Sequence, residues 1–322
     1  MIELLTIGEP MGLFIAQEAG ALEDVKHYSS RIAGADLNVA IGAARFGHKT
    51  AFISQIGADT FGKQIKRRLE AEQIATKYLA VSPKWKTGFM LKGLAANGRP
   101  ATDYYRKGSA AAHISLEELA KIDFNGIKIL HLGGILAGLS EEGYQATLYL
   151  IKRAREHQIQ ITFDPNLRPT IWDSEELMIE RTNEIAQLCD VVMPNIKEGK
   201  ILTGETDVTA MADYYLKKNV KQVIINMVEN GSYSKRVDDQ QRIYEERMPE
   251  LKPDQIVDRV GAGDGFVAGV VSGKLEGLND LDCLRRGSAV GAIQMENLGD
   301  NEGLPTKAQV THFLSSKGII EP

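Results

Sequence analysis

Short runs of Ile, Val, Leu and Phe recur along this chain. Most are separated by longer segments in which apolar residues return every third or fourth position. The apolar runs are Leu4–Gly8, Thr50–Ile56, Ile127–Leu132, Ile159–Asp164, Val191–Pro194 and Gln222–Met227. Few polar residues interrupt them, the pattern of parallel strands buried on both faces. Helical periodicity occupies Gly143–Gln158, Glu175–Leu188 and Met211–Lys218. This alternation predicts an α/β fold with a mainly parallel sheet covered on both sides. Ligands of such a sheet belong at the carboxyl ends of its strands.

Two stretches depart from the pattern. Residues 12–33 and 87–107 alternate without a helical period and are punctuated by Gly and Pro, so they read as strands of a second, small sheet, a lid beside the core. Ordinary surface hairpins fit the pattern equally well. Ser232–Val237 and Arg242–Met248, around Asp238 and Asp239, predict a further hairpin.

Composition narrows the partners. The 322 residues carry a formal charge of -5 and no Lys/Arg-rich run, which argues against nucleic acid. No apolar stretch reaches the roughly 20 residues that span a bilayer, and the first residues read as a strand with no signal-peptide plan. Two distant cysteines and no ligand spacing among six histidines argue against a disulfide framework and against structural zinc. A cytoplasmic protein acting on small molecules is the expectation.

The most pointed chemistry lies at Gly261-Ala262-Gly263-Asp264, where an extended segment turns into a helix. Successive N–H groups at a helix start hold an anion, and glycine admits phosphate close to the backbone. An acid there suggests a base that accepts a proton from a hydroxyl attacking a phosphoryl group. A plain acidic N-cap is the simpler alternative. The helix dipole predicts that Asp264 stays ionised and is a weak base. Neither a dinucleotide fingerprint nor a Walker A sequence is present: Phe266 breaks the first, and His48 interrupts the second at Gly42–Thr50.

Other candidates stand at strand ends. Asp164-Pro165-Asn166-Leu167-Arg168 offers a guanidinium for a carboxylate or phosphate. Asn195 and Glu198 share one face of a first helical turn, which suits Mg²⁺ through water or, equally, a capping box. Gly34 and Asn38 open a helix where a substrate could lie against the backbone, and a cap explains them as well. Tyr104 and Arg106 project to one side of an extended chain and suggest an acidic substrate. Asp300, in a Gly-rich loop, is a hydroxyl ligand or a turn residue.

Gly34-x-x-x-Asn38, Asn195-x-x-Glu198 and Gly261-Ala262-Gly263-Asp264 together resemble the ribokinase-like (PfkB) sugar kinases, over essentially the whole chain. Gly8-Glu9-Pro10-Met11, Tyr104–Ala111 and Gly299–Pro305 look like the 2-keto-3-deoxygluconate kinases among them. The resemblance implies one domain, with a Rossmann-like three-layer α/β/α core and a small β-sheet lid. It also implies ATP as donor, Mg²⁺, a monovalent cation such as K⁺, and a homo-oligomer paired through the lid sheet. Its implied reaction is phosphorylation of the 6-hydroxyl of the sugar acid, a neutral sugar such as fructose being the rival acceptor and a non-catalytic sugar sensor the rival role. Carried over, Asp264 is the base and Gly261, Ala262 and Gly263 the anion hole. Gly34, Asn38, Met90, Tyr104, Arg106, Arg168 and Asp300 face the acceptor. Asn166, Asn195, Glu198, Asn226 and Gly231 face the nucleotide, with Asn195 and Glu198 toward the metal. Three positions depart from the pattern. Arg259-Val260 replaces Thr-Thr, Met90 stands for a tyrosine, and Asn226–Gly231 lacks the first glycine of Lys-x-Gly-x-x-Gly.

Overall fold

A computed structural model describes residues 1–94 and 100–320. Its strands, in chain order, are β1 (Leu4–Ile7), β2 (Met11–Ala16), β3 (Tyr28–Ala33), β4 (Thr50–Gly57), β5 (Leu79–Ser82), β6 (Phe89–Lys92), β7 (Thr102–Tyr105), β8 (Ile129–Gly133), β9 (Gln160–Asp164), β10 (Val191–Val192), β11 (Gln222–Asn226), β12 (Ser232–Val237) and β13 (Ile243–Met248). Nine of them form one sheet in the order β13-β12-β11-β10-β9-β8-β1-β4-β5. Pairing is parallel from β11 through to β5, and the hairpin β12–β13 continues the sheet antiparallel. All six apolar runs become strands of this sheet. The edge strand β5 has no counterpart among them, because it is only four residues long and leaves Val81 exposed.

Alternation along each strand supplies both faces of the sheet. Leu5, Leu130, Val223 and Ile225 belong to a core that includes Leu150, Met178, Leu202 and Tyr215 of the helices on one side. Leu4, Ile129 and Ile224 belong to a core with Val39, Val267, Val270 and Leu284 of the helices on the other. Three layers result, with the sheet in the middle.

The strand order reverses at β1, which lies between β4 and β8. Gly8 and Glu9 leave its carboxyl end, next to the ends of β8, β9, β10 and β11. This switch point is where an open α/β sheet leaves a crevice. A separate four-stranded sheet, ordered β3-β2-β6-β7, arises from the two non-helical stretches. Residues 95–99 of the second stretch lie outside the described residues. One side of this sheet carries buried Met11, Leu13, Ile15 and Met90. The other carries partly exposed aromatic rings, with Phe89 stacked on Tyr105 at 4.6 Å and Phe61 of the helix Thr60–Ala71 packed at 5.5 Å from Phe14. Among the described residues no helix is long and apolar enough to cross a membrane.

Candidate active site

Gly261 is the turning point of the nest. It adopts φ +78°, and a Cβ there would stand 2.0 Å from the Asp300 carbonyl oxygen, so only glycine fits. The helix Ala262–Leu275 starts at the next residue, which presents the first N–H groups to the crevice. Asp264 is third in this helix and makes no cap bond. Its carboxylate instead accepts from Asn38 Nδ2 at 2.7 Å and from Asn166 Nδ2 at 3.4 Å. That removes the N-cap alternative. The expected weak base is also overturned: burial raises the Asp264 pKa, and Asn38, Arg168 and Asn166 only partly offset it. Desolvation here outweighs the helix dipole.

Asn38 sits one turn into the helix Ala35–Arg45, whose N-cap Gly34 has φ +145° and passes against the Glu9 carbonyl. The asparagine is fully buried. Its Oδ1 accepts from Asn301 Nδ2 at 2.9 Å while its Nδ2 donates to Asp264. Both ends of the amide are therefore engaged, and Asn38 orients the carboxylate where it was expected to bind acceptor hydroxyls. Asn301 is itself held by Arg68 at 2.9 Å and by donating to the Ile32 carbonyl at 3.1 Å.

Asp36 is a site residue that the sequence reading passed over. It is 3% exposed, and no side chain of another described residue hydrogen-bonds it. Its carboxyl occupies space that two glycines leave open. A Cβ on Gly8 would lie 2.1 Å from one oxygen, and one on Gly133 would lie 2.4 Å from the other. Burial first, and Asp264 second, push its pKa up to about 8, so near neutral pH it is a hydrogen-bond donor.

On the acceptor side, Arg106 is buried. Its Nε donates to Glu9 Oε2 at 2.6 Å, Nη2 reaches the same oxygen, and Ser109 Oγ donates to Glu9 Oε1. Glu9 thus fixes the guanidinium and offsets its charge. Tyr104 is 45% exposed, and Arg106 lies 5.5 Å from its ring centre, so the two do share a side. Met90 is buried on β6, in register with Leu13 on β2 and Tyr104 on β7. Arg168 has no carboxylate at ion-pair distance among the described residues, and it lowers the pKa of both Asp264 and Asp164. Asp300 is buried, and its Oδ1 has no hydrogen-bond partner. Burial pushes its pKa up to about 7 against the pull of Lys92.

The nucleotide side is built from strand ends. Asn195 and Glu198 form a capping box on the helix Ile196–Thr203, the plainer of the two sequence readings. Glu198 Oε1 accepts in addition from the Leu167 N–H at 3.0 Å. Asn195 and Asn226 bridge the ends of β10 and β11. Asn226 Oδ1 caps Val228 N at 2.9 Å. Val228 stands where the missing glycine was expected and keeps the left-handed backbone, at φ +56°. Gly231 follows at φ +83°, against the Met248 carbonyl. Among the described residues no three acids or histidines gather as a metal site. Yet burial and the neighbouring Glu198, Asp264 and Asp36 all raise the pKa of Asp164, which marks an excess of buried negative charge.

The chain matches the model of the pfkB family carbohydrate kinases over residues 1–307. A 2-dehydro-3-deoxygluconokinase from Bacillus subtilis is 38% identical over 320 residues, covering 99% of this chain and 97% of that protein. A PfkB protein from Polaromonas superposes with TM-score 0.85 at 34% identity, over 96% of this chain and 99% of its own. A fructokinase from Vibrio cholerae, solved with fructose, ADP and calcium, superposes with TM-score 0.86 at 23% identity, over 98% and 99%.

Proposed function

We propose, from the premise that this chain belongs to the pfkB family of carbohydrate kinases, that it moves the γ-phosphoryl group of ATP to the 6-hydroxyl of 2-keto-3-deoxygluconate. The observation that carries the reading is Asp264, half-buried and aimed by two amides at the mouth of the Gly261–Gly263 nest. The acceptor oxygen bonds to γ-phosphorus as the β–γ bridging bond breaks, and Asp264 takes the hydroxyl proton. A carboxylate raised by burial does this better than a free one, although an alcohol stays the weaker acid, so proton transfer accompanies bond formation. The nest N–H groups stabilise charge on the transferring group. Asp164, Asn195 and Glu198 fit a divalent cation carried mainly by phosphates and water. Mg²⁺ bound there supplies charge neutralisation on the phosphates.

For the acceptor, Gly34 gives close backbone approach, Tyr104 and Asp300 polar contacts, and Asp36 a donor. Arg168 is the cation left for the sugar-acid carboxylate. The small sheet is the lid, seated over the acceptor by its Met11–Met90 side. Its partly exposed aromatic side supports pairing with a second copy of the chain.

The pairing of Arg106 with Glu9 favours a second reading, a neutral acceptor such as fructose, which the Vibrio cholerae relative binds. An ADP-release assay with keto-deoxygluconate, keto-deoxygalactonate and fructose side by side decides between them. Turnover at least about tenfold more efficient on a keto-deoxy acid is expected, with Arg168→Ala abolishing that preference. Equal or better turnover of fructose overturns the acid reading. Asp264→Asn is expected to lower kcat by about 10²–10⁴-fold while ATP binding measured by calorimetry persists. A near-normal kcat in that variant removes Asp264 from the role of base.

A further inference from the structure

Strand β6 ends on a lysine that faces inward. Period-two alternation places Lys92 on the same side as the buried Met90, and its side chain is only 2% exposed. An ammonium group withdrawn from water so completely requires partners of opposite charge. Lys92 Nζ lies 2.5 Å from Asp258 Oδ2 and 3.9 Å from Asp300 Oδ1. Neither partner belongs to the small sheet.

Asp258 holds the two loops that shape the nest. Its Oδ1 accepts from Val260 N at 3.1 Å, immediately before Gly261, and its Oδ2 accepts from Gly299 N at 3.2 Å. Gln294 Nε2 braces the same two residues, donating to the Val260 carbonyl at 3.3 Å and the Gly299 carbonyl at 2.8 Å. Asp300, the next residue of that loop, presses its carbonyl against Gly261. A continuous path therefore runs from the small sheet through one ammonium to both loops and so to the turn that opens the Asp264 helix.

We infer that Lys92 is a positioning residue: by pairing with Asp258 and Asp300 it couples the seating of the small sheet to the assembly of the anion nest. The inference rests on the kinase reading above, and on the small sheet covering the acceptor. When the sheet is seated, the ammonium pairs with Asp258 and offsets the charge that Asp300 meets from Asp258, Asp264 and Glu302, and the nest takes its phosphate-binding shape. When the sheet is away, Asp258 and Asp300 stand unpaired and the loops lose that tie. Seating of the lid and readiness for phosphoryl transfer then become one event, which limits transfer to water.

Lys92→Met and Lys92→Arg test this in the full-length enzyme, with whichever acceptor the wild type turns over. Lys92→Met is expected to lower kcat about 10²-fold with little change in the acceptor KM, because the reacting groups are misplaced and the acceptor pocket is not. The acid limb of its pH–rate profile should move to higher pH. Asp300 would then face Asp258, Asp264 and Glu302 without the compensating cation. Lys92→Arg should recover most of kcat and return the limb to its place.

Binding supplies a readout that needs no acceptor. By calorimetry, Lys92→Met should weaken a non-hydrolysable ATP analogue about tenfold relative to ADP, since the nest meets the terminal phosphate. Unchanged kcat and pH profile in a folded Lys92→Met protein overturn the inference. So does equal loss in both variants, or equal weakening of analogue and ADP. A wild type inactive on every acceptor sinks the substrate reading, and the binding comparison still decides the role of Lys92.

Discussion

Asp36 and Asp264 show how one environment assigns two carboxyls different tasks. Both are raised by burial, yet Asp264 has two side-chain amide donors that favour its ionised form and Asp36 has only its own backbone N–H. Asp36 is therefore able to donate a hydrogen bond at neutral pH, and in the proposed acceptor pocket it would repel an anionic acceptor once ionised. The KM for an acidic acceptor should rise above about pH 8, and in Asp36→Asn, which keeps a donor at every pH, it should stay flat. A KM profile identical in the two proteins removes Asp36 from the acceptor pocket. The sequence made Asp264 legible because the nest and its acid are contiguous. It could not make Asn38 legible in its actual role, since its partners Asp264 and Asn301 lie 226 and 263 positions away. Asp36 was hidden for a related reason: the glycines that house it, Gly8 just after β1 and Gly133 at the end of β8, belong to other parts of the chain.

At the level of elements, period and punctuation were enough to predict the parallel strands other than β5 and the hairpin β12–β13, while the small sheet stood level with surface hairpins until the structure decided for it. What they left open were uses that depend on who stands opposite. Asn195 and Glu198 carry a capping-box signature and form that box, while the Leu167 N–H that Glu198 also accepts comes from a distant loop outside the motif. The turn after β11 is the clearest local conflict. Its backbone keeps the left-handed conformation where Val228 replaces glycine, and a β-branched residue in that region costs about 1–2 kcal/mol. Val228 is 52% exposed, so trimming it leaves no cavity. Val228→Gly should raise stability by about 1 kcal/mol, the added freedom of the unfolded chain taking back part of the gain. Denaturant melts would register it as a higher midpoint at unchanged slope. A lower midpoint would mean that the valine side chain holds the turn.

For the whole molecule, the elevated carboxyls set a slope of stability against pH. Folded Asp300 and Asp36 bind protons up to about pH 7 and 8, whereas unfolded aspartates release them near 4. The folded state therefore holds more protons across that window, and stability from these groups falls as pH rises through it. Buried His131, lowered to about 3, acts in the opposite sense only below its unfolded value near 6.5. The ligand-free enzyme should thus lose Tm between about pH 6.5 and 8, by at most about 1.4 kcal/mol per pH unit from Asp36, and Asp36→Asn should flatten the curve. A Tm that climbs steadily over this interval contradicts the assignment. Pairing through the small sheet is measurable by light scattering: the wild type should run as a dimer and Phe89→Glu as a monomer, whereas a wild-type monomer removes that surface. The long reach of the Asn38 contacts also bears on synthesis. Asn38 leaves the ribosome long before its partners Asp264 and Asn301, which follow it by 226 and 263 positions. No growing chain can close the proposed catalytic centre until Asn301 has been made, and activity should return only with the last phase of refolding, after most helical signal has recovered.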